Sequence, residues 1–533
     1  VNLPDSPTLP ALVRDNATAT PDAPALVAGE VRWTYSELDV AVRCAAAVLA
    51  GLGVRSGENL GLLATNTATW PAIALGAMRT GARVDAFNTW AKAWDLDHLL
   101  GTSRCRVLVT ESRVRSTDVL AELRELVPEL WSGEPGEWRS ERFPALRHVV
   151  VLGEDVPRGA LSWQDLYRAA QPADREAIDA RPEEPAFVLY TSGSTRYPKA
   201  VPLLHRDMIL NAFHIGERMG LTAADRVWLG SPLFWSFGGA NAMPATFTHG
   251  ACLVMQEQFT PEKAAELLAE EQCTAAYLLP SITDALCGVA DRVRAVPSLR
   301  TGATIGRPDE VRRAVEELDI PDICNVYGST ETYGNCCVTH HNAPLELRLT
   351  TQGPPLPGVE LRVVDSTGRV LDAGELGELQ VRGRVMPGYL GDDEANAKAI
   401  TDDGWYRTGD QMRIRPDGAV EFGARLTDMI KTSGINVAPA EVESFLSAHP
   451  AVADVAVVGA PHPARGEVVI AFVTTTAEVD GEELRQYCRD GMAGYKVPWD
   501  VFVVPELPAT ATGKLIRRTL VEQATERMRT AKS

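Results

Sequence analysis

The sequence predicts an α/β protein: a large N-terminal domain of layered α/β sheets that includes a small β-rich unit, followed by a small α+β C-terminal domain. Three observations predict it. From Thr34 onward, short apolar runs alternate with helix-length segments. Between Gly353 and Gly423 turn signals crowd together. After Arg425 a fresh α+β pattern begins. A chain of 533 residues is also too long for one ordinary core, so more than one domain is expected.

The elements follow in chain order. Leu38, Val42, Ala45 and Leu49 recur at helical spacing behind Ser36 as N-cap, and Gly51 and Gly53 end the run. Short apolar runs at residues 60–63, 82–86 and 107–110 read as strands separated by helices. Gly353-Pro354-Pro355, Pro357-Gly358 and Asp417-Gly418 punctuate the β-rich unit. The last domain reads as a helix near 440–448, strands near 453–458 and 468–474, a helix near 482–489 and a final extended run at 499–504. The boundary falls near residues 425–428, giving domains 1–425 and 426–533.

Composition limits the function classes. A formal charge of −19 disfavours nucleic-acid and anionic-membrane partners, which select basic surfaces. No apolar stretch reaches the ~18–20 residues that span a bilayer. The first residues show no basic segment followed by an apolar one, so no secretory signal is read. The nine cysteines are scattered without CxxC spacing, which suggests neither a zinc cage nor a disulfide framework. Reduced thiols in a cytoplasmic protein are expected.

The sharpest local signal is Tyr190-Thr191-Ser192-Gly193-Ser194-Thr195-Arg196-Tyr197-Pro198-Lys199, which follows the apolar run Ala186-Phe187-Val188-Leu189. Hydroxyls and free backbone N–H groups in such a loop form an anion nest, and a lysine adds a point charge. It is not a Walker A loop, because the GxxxxGK[ST] spacing is absent. Taken alone, a solvated Ser/Thr turn explains it as well.

Further segments change that balance. Downstream, in order, stand Asn325-Val326-Tyr327-Gly328-Ser329-Thr330-Glu331, then Tyr406-Arg407-Thr408-Gly409-Asp410, then Gly423-Ala424-Arg425 with Lys431-Thr432-Ser433-Gly434, and finally Gly513-Lys514 behind Leu507-Pro508. Together with the hydroxyl loop, this series resembles the signatures of the adenylate-forming superfamily, in its acyl-CoA synthetase branch. The similarity spans about residues 30–520.

The resemblance implies a mobile C-terminal domain, with ATP, Mg²⁺ and coenzyme A as cofactor or co-substrates. It implies that Thr191, Ser192, Gly193, Ser194, Thr195 and Lys199 hold phosphate, and that Gly302, Ala303 and Thr304 line the adenine and acyl pockets. Tyr327, with Gly328 and Ser329, would face adenine, although an aromatic there also reads as plain core. Thr330 would donate to phosphate. Glu331 would carry the metal, since a carboxylate among phosphates needs a bridging cation. Asp410 has two acceptor oxygens suited to a ribose diol, reinforced by Arg425. Lys514 would meet the charge that develops as carboxylate attacks the α-phosphate. Lys431 and Gly434 would serve thioester formation, the glycine letting a pantetheine arm pass.

Departures from the family pattern are Arg196 and Ala200, where glycines are usual, Thr427 at a pivot usually held by Asp or Lys, and Trp235 where histidine is frequent. The segment Phe234, Trp235, Phe237, Gly238 and Gly239 carries no nearby carboxylate, which disfavours an amino-acid substrate. Aromatics beside paired glycines suggest a roomy pocket for a hydrophobic acid, though core packing explains Phe234 and Phe237 equally. The expected function is ATP-dependent formation of an acyl-AMP with pyrophosphate release, then a coenzyme A thioester. The rivals are an adenylation-only enzyme that passes acyl-AMP onward, a nucleotide-binding regulator, and a serine hydrolase, whose GxSxG elbow is absent. A homodimer is left open as the one macromolecular association.

Overall fold

The structure is a computed structural model that describes residues 2–191, 197–305, 308–425, 429–508 and 516–530. The chain divides into two compact units. The first comprises Val1–Thr89, Leu99–Tyr190 and Ala200–Ala424; the second comprises Trp90–His98, Thr191–Lys199 and Arg425–Ser533.

The first unit holds three main sheets. An 8-stranded sheet runs in the order Cys337–Val338, Asp322–Tyr327, Thr301–Thr304, Ala275–Leu278, Arg226–Leu229, Cys252–Met255, Pro24–Ala28, Val31–Thr34. All of its interior pairings are parallel, and only the two edge strands run antiparallel. Apart from the first residues Arg226, Pro24 and Asp322, the interior strands are buried, as parallel strands covered on both faces must be. A 7-stranded sheet has Asn59–Leu63, Arg83–Ala86 and Pro185–Thr191 near its middle. The turn-rich region forms a 4-stranded antiparallel sheet, Val359–Val364, Gly377–Gly383, Tyr406–Ile414 and Val420–Arg425.

The helix expected behind Ser36 is Tyr35–Gly51, with Leu38, Val42, Ala45 and Leu49 all buried. Its N-cap is Thr34 rather than Ser36. Glu37 decides this, because its side chain accepts from the Thr34 N–H while Thr34 accepts from the Glu37 N–H, closing a reciprocal box that Ser36 has no glutamate to form. Gly53, at φ +82, ends the helix. The neighbouring helix Thr69–Arg79 packs closely because Gly76 has no side chain: a Cβ there would meet Ala45 Cβ at 2.7 Å.

In the second unit, strands Val452–His462 and Gly466–Thr475 pair along their length, with Asp500–Val503 and the hairpin Ile430–Thr432/Ile435–Val437 beside them. Alternate residues enter different cores. Val455, Val457, Val469, Ala471 and Val473 pack with Val442, Phe445 and Leu484. Ala456, Val458, Ile470 and Phe472 pack with Leu520 and Ala524 of the helix Arg517–Thr530. The period-two direction of strand side chains makes one sheet serve both layers.

The same unit buries a charge cluster. Lys496 is 2% exposed, with Nζ 2.6 Å from Asp95 Oδ1 and 3.0 Å from Glu441 Oε2. Burial alone would lower the lysine's pKa, but Asp95 and Glu441 outweigh it and hold the ammonium well above its usual range. Tyr197 stacks nearby on His98, with ring centroids 4.6 Å apart. Substituting Lys496→Met removes the only cation facing two buried carboxylates among the described residues, which should cost about 3–5 kcal/mol. Thermal denaturation reads the loss, and a melting temperature equal to the parent's would refute it.

Candidate active site

Parallel sheets collect functional groups beyond the carboxyl ends of their strands, and Glu331 and the segment 231–242 each follow such an end, after Asp322–Tyr327 and Arg226–Leu229. Gly302, Ala303 and Thr304 lie on the strand Thr301–Thr304, in register with Ile323, Cys324 and Asn325. A Cβ on Gly302 would stand 2.0 Å from the Ala276 carbonyl oxygen, so the strand spacing admits only glycine. Tyr327 ends the next strand, and its hydroxyl donates to Asp410 Oδ2 at 2.8 Å. Burial, then the Asp410 carboxylate, pushes this phenol well above its ordinary range, so it stays a donor. The bond fixes the Tyr327 ring, whose centroid lies 6.5 Å from that of half-exposed Phe422. Asp410 follows Gly409, at φ +69, and its N–H donates to Thr408 Oγ1 at 3.1 Å.

Glu331 sits in the single turn Thr330–Thr332, opened by Ser329 and closed by Tyr333 in the left-handed region at φ +59. Asn211 and Asn241 impose this sharp reversal: both donate to the Tyr333 carbonyl, at 3.2 and 2.8 Å. Gly334 is required beneath them, since a Cβ would approach Asn241 Nδ2 to 1.9 Å. Glu331 itself is 7% exposed and accepts from the Tyr389 hydroxyl at 2.8 Å. It forms no ion pair with a lysine or arginine among the described residues.

The segment expected to hold the acid also reaches this turn. Leu233 N donates to Asn66 Oδ1 at 2.9 Å, and Asn66 Nδ2 donates to the Ser231 carbonyl at 2.8 Å. Ser236–Ala242 then forms a π-helix, a rare turn that widens the backbone and recurs at functional sites. The Thr330 hydroxyl donates to Ser236 Oγ at 3.3 Å, so the acid segment touches the turn bearing Glu331. Phe234 and Phe237 are buried, and Phe237 packs edge-on to Tyr277 at 4.9 Å. Trp235 is half-buried, 5.6 Å from Phe234. The paired glycines have a local reason: a Cβ on Gly238 or Gly239 would press to 2.5 Å on Pro232 O or 2.3 Å on Leu233 O. They serve the tight turn, which is reason enough for glycine at both positions.

The strand Pro185–Thr191 leads into the hydroxyl loop. Its Tyr190 hydroxyl donates to Asp85 Oδ1 at 2.7 Å, while Arg83 Nε donates to Asp85 Oδ2 at 3.1 Å. Burial pushes the Asp85 carboxyl up to about 6, with Arg83 and Tyr190 pulling the other way. Thr191, Lys199, Lys431 and Gly434 belong to the second unit, where Gly434 takes φ +84 behind Ser433 at φ +50. Ser192, Gly193, Ser194, Thr195, Arg196, Thr427 and Lys514 lie outside the described residues, as does the side chain of Arg425. Sequence reasoning missed Asn66, Asp85, Asn211, Asn241 and Tyr389. For Asp85 there was a signal: a carboxylate inside the apolar run Val84-Asp85-Ala86-Phe87 needs a partner.

The Tyr327–Asp410 pair, the turn bearing buried Glu331 and the segment 231–242 that bonds to that turn stand together in the first unit, in the order in which the adenylate-forming signatures occur in the sequence. The chain belongs to the AMP-binding enzyme family, which matches residues 13–390, and the AMP-binding enzyme C-terminal domain matches residues 441–514. It is 33% identical to a putative acyl-CoA synthetase, YngI, of Bacillus subtilis over 97% of both chains. A medium-chain acyl-CoA ligase, ACSF2, mitochondrial, of Mus musculus is 29% identical over 96% of this chain and 86% of that protein. Among solved structures, the o-succinylbenzoate CoA synthetase of Bacillus subtilis, bound to a product analogue, superposes with a TM-score of 0.81 at 25% identity, covering 96% of this chain and 98% of that one. With these relatives the chain stands among the AMP-forming acyl-CoA synthetases.

Two outcomes test the site. Asp85 holds its proton more tightly folded than unfolded, so its contribution to stability is full below pH 3.8 and is lost as pH rises through about 6. Asp85→Asn abolishes that loss. Relative to the parent, the variant should gain roughly 3 kcal/mol between pH 4 and pH 7; parallel melting-temperature curves over that range would refute it. Trp235→Ala should change which acids support pyrophosphate exchange while leaving the KM for ATP within about threefold, because an acid-pocket wall makes ground-state contacts with one substrate only. An unchanged acid preference would return Trp235 to the core.

Proposed function

We propose that this chain adenylates a hydrophobic carboxylic acid in the first unit and then transfers the acyl group to coenzyme A. The observation that carries the reading is the Thr330–Ser236 hydrogen bond beside buried Glu331. It brings a phosphate-type turn and an uncharged acid segment together at one point. Acyl-adenylate formation followed by thioester formation is the activity of the acyl-CoA synthetases with which the chain stands. The medium-chain relative supports an aliphatic acid of intermediate length.

In the first step a carboxylate oxygen attacks the α-phosphorus, the bond from that phosphorus to the bridging oxygen breaks, and pyrophosphate leaves. Two anions must meet, so the site's task is electrostatic. Tyr327 offers its ring to adenine, fixed by Asp410, and Asp410 with Arg425 takes the ribose diol. Ser192, Gly193, Ser194, Thr195 and Lys199 hold the phosphates, and Lys514 meets the developing charge. For the second step, Lys431, Gly434 and the pivot Thr427 serve the thiol, with residues 426–533 acting as a mobile domain.

Glu331 fits a metal. It is a buried carboxylate with no cationic side chain paired to it among the described residues. No cluster of three or more His, Cys, Asp or Glu residues occurs among them either. That donor set suits Mg²⁺, which keeps several waters and takes one or two carboxylates plus substrate phosphates. When bound, the ion neutralises phosphate charge. No helix among the described residues is long and apolar enough to cross a membrane. A cytoplasmic location is proposed from the free thiols, eight of nine buried. Sedimentation decides between monomer and homodimer.

Acid-dependent pyrophosphate exchange, screened over aliphatic and aromatic acids, should be saturable with medium-chain acids, and product formation should require coenzyme A. Lys514→Ala should lower exchange by about 10²–10³-fold with the melting temperature unchanged. Exchange within a few-fold of the parent would remove Lys514 from catalysis. AMP release with no coenzyme A-dependent product would assign the thioester step to another protein.

A further inference from the structure

We infer that Tyr389 is a positioning residue that occupies one oxygen of Glu331, restricts the carboxylate to single-oxygen metal binding, and thereby sets the site's preference for Mg²⁺ over Ca²⁺. The inference rests on the proposed metal role of Glu331.

The geometry is specific. Tyr389 lies between the strand Gly377–Gly383 and the helix Asp393–Ala399. Its hydroxyl donates to Glu331 Oε1 at 2.8 Å, and Oε2 has no hydrogen-bond partner among the described residues. Oε2 is also not among the buried polar atoms left unsatisfied.

Tyr389 cannot drift, because Asn396 brackets its backbone. Tyr389 N donates to Asn396 Oδ1 at 2.6 Å, and Asn396 Nδ2 donates to the Tyr389 carbonyl at 2.9 Å. The same connector is tied to the turn a second time, where Met386 N donates to the Glu331 carbonyl at 2.8 Å. Side chain and main chain of Glu331 are therefore both held by residues 386–389. A buried tyrosine that only needed a partner would not require this second clamp.

The chemical consequence concerns ion size. Mg²⁺ demands near-ideal octahedral geometry with short bonds, which a carboxylate meets through one oxygen. Ca²⁺ takes more ligands at longer distances and commonly binds both oxygens of a carboxylate. A phenol fixed on Oε1 leaves only the first mode. Without it, Glu331 can turn and offer both oxygens.

Calorimetric titration of ATP into the full chain without acid, in Mg²⁺, in Ca²⁺ and with neither, tests this. Tyr389→Phe keeps the ring and should weaken Mg·ATP binding by about 10–100-fold, as loss of a partner behind a metal ligand does. Ca·ATP and metal-free ATP should stay within about threefold, so the Mg²⁺/Ca²⁺ ratio falls; a packing defect would weaken all three alike. Asn396→Ala keeps the hydroxyl but loosens its backbone. It should shift the ratio in the same direction by a smaller factor, and it serves if the first variant does not fold. Glu331→Gln should abolish the metal dependence. If Glu331→Gln binds Mg·ATP like the parent, the metal reading itself falls. If Glu331→Gln loses metal dependence while both other variants keep the parental ratio, the metal reading stands and the role of Tyr389 is overturned.

Discussion

The carbonyl of Tyr333 is the point on which the site hangs. Tyr333 is a bulky residue held at φ +59, a conformation that costs of order 1–3 kcal/mol unless its surroundings impose it. Two asparagine amides impose it, Asn211 from the helix His205–Met219 and Asn241 from the π-helix. The Tyr333 hydroxyl reinforces them, donating to Asp207 at 3.3 Å and accepting from Leu204 N. The reversal that follows brings Cys337 and Val338 back beside Tyr327 and Val326, and Tyr389 meets Glu331 on the turn between. The π-helix Ser236–Ala242 and the turn bearing Glu331 are two ends of one hydrogen-bonded network.

Local chemistry made much of this legible in the sequence. Tyr327, Glu331 and Asp410 stand in short, residue-specific segments, and the structure brings Tyr327 and Asp410 into direct contact although 82 positions intervene. The helix Tyr35–Gly51 was legible from its spacing, but its cap was not. Ser36 is the better cap in isolation, and only the glutamate three positions after Thr34 reverses the preference. The paired glycines are ambiguous for a related reason. Absence of a side chain signals either room for a ligand or none for a Cβ, and only the positions of Pro232 O and Leu233 O distinguish the two. Asn66, Asn211 and Asn241 left no trace. A single buried amide has no period and no motif, and its worth lies in carbonyls far away in sequence.

The second unit shows how a small domain secures a core. Its central strands read as nearly continuous apolar runs, which periodicity alone cannot assign to either face. The structure resolves this by burying both faces, one under the helices Pro439–Ser447 and Gly481–Gly491 and the other under Arg517–Thr530. The polar exception is Lys496. An ammonium that far from water is tolerable only because carboxylates from Asp95 and Glu441 converge on it.

The bond between Asn241 and the Tyr333 carbonyl also bears on how such enzymes diversify. Residues 231–242 cannot be exchanged alone without consequence, because that stretch supplies one of the two amides that shape the turn bearing Glu331. An imported segment lacking an asparagine at position 241 would leave the turn bearing Glu331 without one of its two braces. Inheritance of substrate preference should therefore proceed by blocks. Residues 231–242, residues 328–335 and Asn211 are joined by hydrogen bonds into one such block, which a graft would have to carry whole.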